Sequence, residues 1–224
     1  MKAEINFRRN ILLFIVSTLL CISYSTAAQS AEKTSVQSLK HLETLTEDMI
    51  DHAAGRDSAA VTISLKELKN WVSTLESNGQ IGAEKAKELR NRIGKMAELW
   101  HTKKVDKFIV EDNCLFLEFI DLLYKSGTQD IPWDVVYLDY LARELQYRPK
   151  IKGWKATERA VREVKNTWQS LSKGIKTKAL SDLVENTIAR LPEVLRQRDG
   201  EQLYFIGQLI LDEVDLLEDN FKKP

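Results

Sequence analysis

Leu65-Lys66-Glu67-Leu68-Lys69-Asn70-Trp71-Val72-Ser73-Thr74-Leu75 sets Leu65, Leu68, Val72 and Leu75 three, four and three residues apart. That spacing keeps four apolar side chains on one face of an α-helix and turns the lysines and the glutamate away from it. The rhythm continues outward. Leu39, Leu42, Leu45, Met49 and Ile50 keep it upstream, and Leu89, Ile93, Met96 and Trp100 keep it downstream. No segment sustains a period-two alternation flanked by turn dipeptides, so the chain reads as all-α.

Helix breaks punctuate the pattern. Gly55-Arg56-Asp57-Ser58 ends one helix and offers caps for the next, and Asn78-Gly79 is a strong stop. His101–Lys104 is a weaker break, and Lys125–Pro132 is the longest polar gap. Further breaks fall at Arg148-Pro149 with Gly153, at Lys173-Gly174 and at Arg198-Asp199-Gly200. The expectation is eight amphipathic helices of about 14–20 residues with short connections, which favour antiparallel neighbours.

The two halves resemble each other. Leu65-Lys66-Glu67-Leu68-Lys69-Asn70 reads against Val161-Arg162-Glu163-Val164-Lys165-Asn166, 96 residues on. The same offset pairs Leu42 with Leu138, Leu45 with Leu141 and Met49 with Leu145; an offset of 95 pairs Gly79 with Gly174 and Asn91 with Asn186. Leu117–Leu123 matches Leu211–Leu217 at 94, a drift that single-residue loop deletions would leave. The chain therefore reads as two tandem, pseudo-equivalent four-helix units, at residues 33–127 and 131–220. They form either separate bundles or one continuous array of helical hairpins.

Residues 1–28 read as a signal peptide. Lys2, Arg8 and Arg9 precede the apolar run Ile11–Ile22, and Ser25-Thr26-Ala27-Ala28 supplies small residues for cleavage. Twelve apolar residues fall short of the roughly 20 that span a bilayer, so contact with a membrane is expected only in transit. The expected destination is the periplasm or the exterior. Removing the signal leaves one cysteine, Cys114, so no intramolecular disulfide forms and the fold rests on its core. Cys114 reads as a buried, inert thiol.

Of the 224 residues, 43% are hydrophobic and 29% charged, an ordinary globular mixture long enough to bury a large core. Nine glycines and four prolines are too few for collagen-like or low-complexity chains. Thirty-three basic and thirty-three acidic side chains cancel, so no global field draws the chain onto nucleic acid. No nucleophile motif, phosphate-cradling glycine loop or His–carboxylate zinc signature is present, and no enzyme activity is expected.

Three groups of residues carry the remaining chemistry. Glu118, Asp121, Asp212 and Asp215 repeat an acidic i, i+3 pair on the most apolar helices and are candidate cation ligands, with Asp48, His52 and His101 as a second candidate set. The simpler account of the first group is a polar stripe (Lys107, Glu111, Cys114, Glu118, Asp121, Lys125) that meets water. For Asp48 and His52, and for Glu144 and Arg148 at the equivalent places, it is a helix-surface ion pair. No cofactor is expected. The alternative is a transition metal or a noncovalent haem held by Met49 or Met96 with a histidine, because the absence of Cys-x-x-Cys-His excludes covalent attachment.

Lys152, Lys155, Arg159 and Arg162 form a basic helix face suited to an anionic ligand or an acidic protein partner. The simpler account has this face neutralised by the acidic stretch Asp199–Asp219 packed beside it. Trp133, Tyr137, Tyr140, Tyr147 and Trp154 suit either a core or a binding groove between the halves. The leading expectation is an exported, noncatalytic helical binding protein of undefined ligand; the alternative is a periplasmic metal- or haem-binding bundle.

Overall fold

A computed structural model describes residues 37–125 and 130–222. The expected signal peptide at 1–28 lies outside the described residues. Among the described residues there is no strand, and the chain is all-helical as its periodicity requires. Helix α1 occupies 37–54. It is followed by α2 (Ser58–Ser77), α3 (Ala83–His101), α4 (Val105–Lys125), α5 (Trp133–Tyr147) and α6 (Trp154–Leu171). The expected seventh helix is broken, into α7 (Lys178–Ala189) and α8 (Leu191–Gln197), and α9 (Gly200–Phe221) ends the chain. The break coincides with Pro192, which sits in the first turn of α8, where its missing N–H costs nothing. No described helix is long and apolar enough to cross a membrane.

Local chemistry accounts for the ends. Asp57 Oδ1 accepts from the amides of Ala59 and Ala60 (3.1 and 3.0 Å), and Asp199 Oδ1 accepts from that of Gln202 (2.9 Å), so each carboxylate satisfies otherwise orphaned donors. Helices α1, α3 and α8 each close on a left-handed residue: Arg56 (φ 58°), Lys103 (φ 57°) and Arg198 (φ 52°). Beyond α3 and α8, the next amide reaches back to Leu99 O (2.9 Å) and Val194 O (3.2 Å), which is how a helix closes without glycine.

The sequence offsets recur in the elements. Ser58, Ala83 and Val105 begin helices, and so do Trp154, Lys178 and Gly200, 96, 95 and 95 residues later. Left-handed Arg56 and Lys103 match left-handed Lys152 (φ 59°) and Arg198 at 96 and 95. The buried stripe of α2 (Val61, Leu65, Leu68, Val72, Leu75) matches that of α6 (Thr157, Val161, Val164, Trp168, Leu171) residue for residue at 96.

The described residues from Leu39 onward pack as one unit. Within it α5 is the central helix, against α4 on one side and α6 and α9 on others. One apolar core runs from α5 to α9 through residues such as Leu138, Leu145, Val164, Leu203, Ile206 and Leu217. A smaller one sets Phe116 and Ile120 of α4 on Val136 of α5. At Gly207 the backbones of α9 and α5 approach so closely that an added Cβ would stand 2.7 Å from Ala142 O.

Candidate binding groove

Trp133, Tyr137 and Tyr140 fall at i, i+4 and i+7 on α5 and therefore share a face. Their rings stack in sequence, Trp133 on Tyr137 at 4.3 Å and 23°, Tyr137 on Tyr140 at 5.7 Å and 11°. The two tyrosines form the wall of a groove of about 450 Å³, with Leu117 of α4 opposite and Arg159 and Glu163 of α6 at the margin. Two of the five expected aromatics thus line the groove, and Trp133 extends their stack beyond its lining. The other two lie elsewhere: Tyr147 is buried edge-on to Tyr204 (6.0 Å, 85°), with Lys150 Nζ over both rings, and Trp154 carries the Arg198 guanidinium at 5.8 Å.

Glu144 and Arg148 complete the lining. Their pair is not the expected surface contact. Glu144 is buried, and its carboxylate accepts from Arg148 Nε (2.6 Å) and Asn113 Nδ2 (3.2 Å). Arg148 also donates to Cys114 Sγ at 3.4 Å. Cys114 is half-buried rather than fully buried as expected; burial first, and the Glu144 charge second, push its thiol up, which favours the protonated form. Burial likewise raises the Tyr137 and Tyr140 phenols. Among the described residues, Asp48 and His52 form no ion pair with each other, so the same spacing gives two different outcomes.

The α4 stripe does not simply face water. Glu118 is half-buried between Lys85 (2.9 Å) and Arg92 (2.7 Å), and Glu111 meets Lys95 at 2.5 Å, so this face is zipped to α3. Asp121 accepts from Trp133 Nε1 at 3.3 Å. On α9, Asp212 and Asp215 are exposed, Asp212 accepting from Gln208 (3.1 Å). Asp48 and His101 are exposed and His52 is half-buried, while Met49 and Met96 are fully buried. Among the described residues no group of three or more His, Cys, Asp or Glu side chains is arranged to hold a metal ion.

The basic face of α6 also departs from the simpler account. Lys152 does not belong to the helix face as expected, because its left-handed backbone ends the short turn before α6; Lys155, Arg159 and Arg162 lie on the helix, and all four are exposed. None is ion-paired to a described residue, so the acids of α9 do not neutralise them.

One polar cluster was not anticipated. Arg143 of α5, only 13% exposed, lies 2.8 Å from Asp139, 3.2 Å from Glu47 of α1 and 5.1 Å above the Phe116 ring. The Asp139 contact is an ion pair by distance whose angle falls outside hydrogen-bonding range. Asp112 of α4 is fully buried, neither of its oxygens meets a described donor, and burial holds its carboxyl well above the ordinary range against the pull of Arg143. Burial also raises Glu43 and Glu47 to about 7, each aided by a neighbouring carboxylate. The sequence signal for Asp112 was its phase: Phe108, Asp112, Leu115 and Phe119 step by four, three and four.

No family model, curated protein or solved structure matches the chain.

Proposed function

We propose that this chain is an exported, noncatalytic binding protein that seats an acidic peptide segment in the groove between α4, α5 and α6. The reading is carried by one observation: an aromatic-walled groove lined by Arg159, which belongs to a row of exposed cations (Lys155, Arg159 and Arg162 of α6, with Lys152 just ahead of it) that no ion pair to a described carboxylate neutralises. Unpaired surface cations keep their field for a partner, and stacked tyrosines offer apolar contact at little entropic cost. Export is inferred from the basic, apolar and small-residue order of residues 1–28. Descent of units 33–127 and 131–220 from one four-helix ancestor is supported by the repeated helix starts, left-handed residues and buried stripes.

The test is fluorescence anisotropy with a labelled peptide alternating glutamate and tyrosine, against a lysine–tyrosine control, across a salt series. The acidic peptide should bind and the basic one should not. Reversing two cations with Arg159→Glu and Arg162→Glu should weaken binding by tenfold or more at low salt, and the gap should shrink as salt screens the field. Equal affinity of the native and doubly reversed proteins would sink the proposal.

A further inference from the structure

A second cleft, of about 680 Å³, opens where α2 begins and α3 ends, and it shares no lining residue with the groove. Its floor includes Leu65 and its wall the Trp100 indole; Arg56, His101 and Lys103 are the charged or ionisable groups of the lining, which contains no carboxylate. All three are exposed.

The second half supplies an internal comparison. Ser58 is the first residue of α2, two residues after left-handed Arg56; Trp154 is the first residue of α6, two residues after left-handed Lys152. Lys103 stands two residues before α4, and Arg198 two residues before α9, both left-handed. In the second half the Arg198 guanidinium lies 5.8 Å from the Trp154 ring, which packs against the core. The first half has the matching cation but a hydroxymethyl group where the indole would be, and there the cleft opens.

We propose that this cleft binds a small planar aromatic anion, its ring lying where the second half carries the Trp154 indole. Lys103 covers the ring face as Arg198 covers Trp154, Trp100 lines the side, and Arg56 and His101 meet the negative group. A cation over an aromatic face is attractive, and an acid-free rim favours a ring that carries charge over a neutral one. The volume is ample for a bicyclic ring, within the range of about 300–1,000 Å³ usual for small-ligand pockets.

The probe is indole-3-acetate, with neutral indole and acetate as controls, followed by backbone amide and tryptophan indole shifts in NMR titrations. Indole-3-acetate should shift Ser58, Thr62 and the Trp100 indole N–H, binding about tenfold more tightly than indole, as one charge-assisted contact implies. Acetate alone should not saturate. Ser58→Trp installs the indole of the other half at the first position of α2, a position where that half already carries it. It should abolish the shifts while the far-UV circular dichroism stays native. Lys103→Gly removes the cation and relieves the left-handed backbone, so the fold is kept; binding should weaken about three- to tenfold. Unchanged affinity in Lys103→Gly, or shifts that map away from α2 and α3, would overturn the proposal even if Ser58→Trp failed to fold.

Discussion

Glu43 offers a sharp test of the buried acidic cluster, because its replacement should make the protein more stable. Its carboxyl is raised from the ordinary 4.5 to about 7, first by burial and then by the charges of Glu47 and Glu218, with only Lys40 opposing. Between pH 4.5 and 7 the folded chain keeps a proton on Glu43 that the unfolded chain has lost. Protonation therefore favours folding; the stabilisation is complete below pH 4.5 and is lost as the pH climbs through 7. At about 1.4 kcal/mol per pH unit the full displacement amounts to about 3 kcal/mol. Glu43 is only half-buried, so water screens much of that, and about 1–2 kcal/mol remains. Glu47 and Glu218, also raised, act in the same direction. Glu76 and Glu193, held low by hydrogen bonds from Arg90 and Arg196, titrate beneath this window. The assay is urea unfolding by circular dichroism at pH 5, 6, 7 and 8 and constant ionic strength. Native stability should fall from pH 5 to pH 8, and Glu43→Gln should exceed the native protein by about 1–2 kcal/mol at pH 8 and match it at pH 5. Native stability that rises over this range, or a Gln variant whose pH curve runs parallel to the native one, would refute the reasoning.

Two further substitutions probe the packing around α5. Gly207→Ala should cost about 1–3 kcal/mol in urea unfolding, because the new Cβ would stand 2.7 Å from Ala142 O and backbone cannot swing aside as a side chain can. Arg143→Met should cost about 3–5 kcal/mol at pH 8, since it strips Asp139 and Glu47 of their shared cation. Part of that loss should be recovered at pH 5, where the carboxyls take up protons; equal losses at both pH values would mean that packing over Phe116, not charge, is what Arg143 supplies.

How far the sequence carries depends on how many helices a feature needs. The helices themselves required only single-chain periodicity, and Leu65, Leu68, Val72 and Leu75 are buried as their spacing demands. The row of basic residues on α6 was legible from spacing, but its freedom from the acids of α9 was not, because that depends on where the two helices pack. The shared face of Trp133, Tyr137 and Tyr140 followed from spacing on one helix. That it walls a groove depends on where α4 and α6 stop short of it, which no periodicity in α5 encodes. Glu144 and Arg148 make the point more strictly: the same i, i+4 spacing that leaves Asp48 and His52 unpaired gives a buried pair here, because Asn113 reaches across from α4 to hold the carboxylate. The α4 stripe went astray for the same reason, since Lys85, Arg92 and Lys95 that cover it come from α3. Asp112 sits between these cases. Phase alone turns it inward among Phe108, Leu115 and Phe119, and its state is then set by burial, which outweighs the pull of Arg143, 31 residues away on another helix. A carboxylate in phase with an apolar stripe is thus the sequence sign to follow: it must have a cation delivered by tertiary packing, or remain protonated, and here Arg143 is already shared by Asp139 and Glu47.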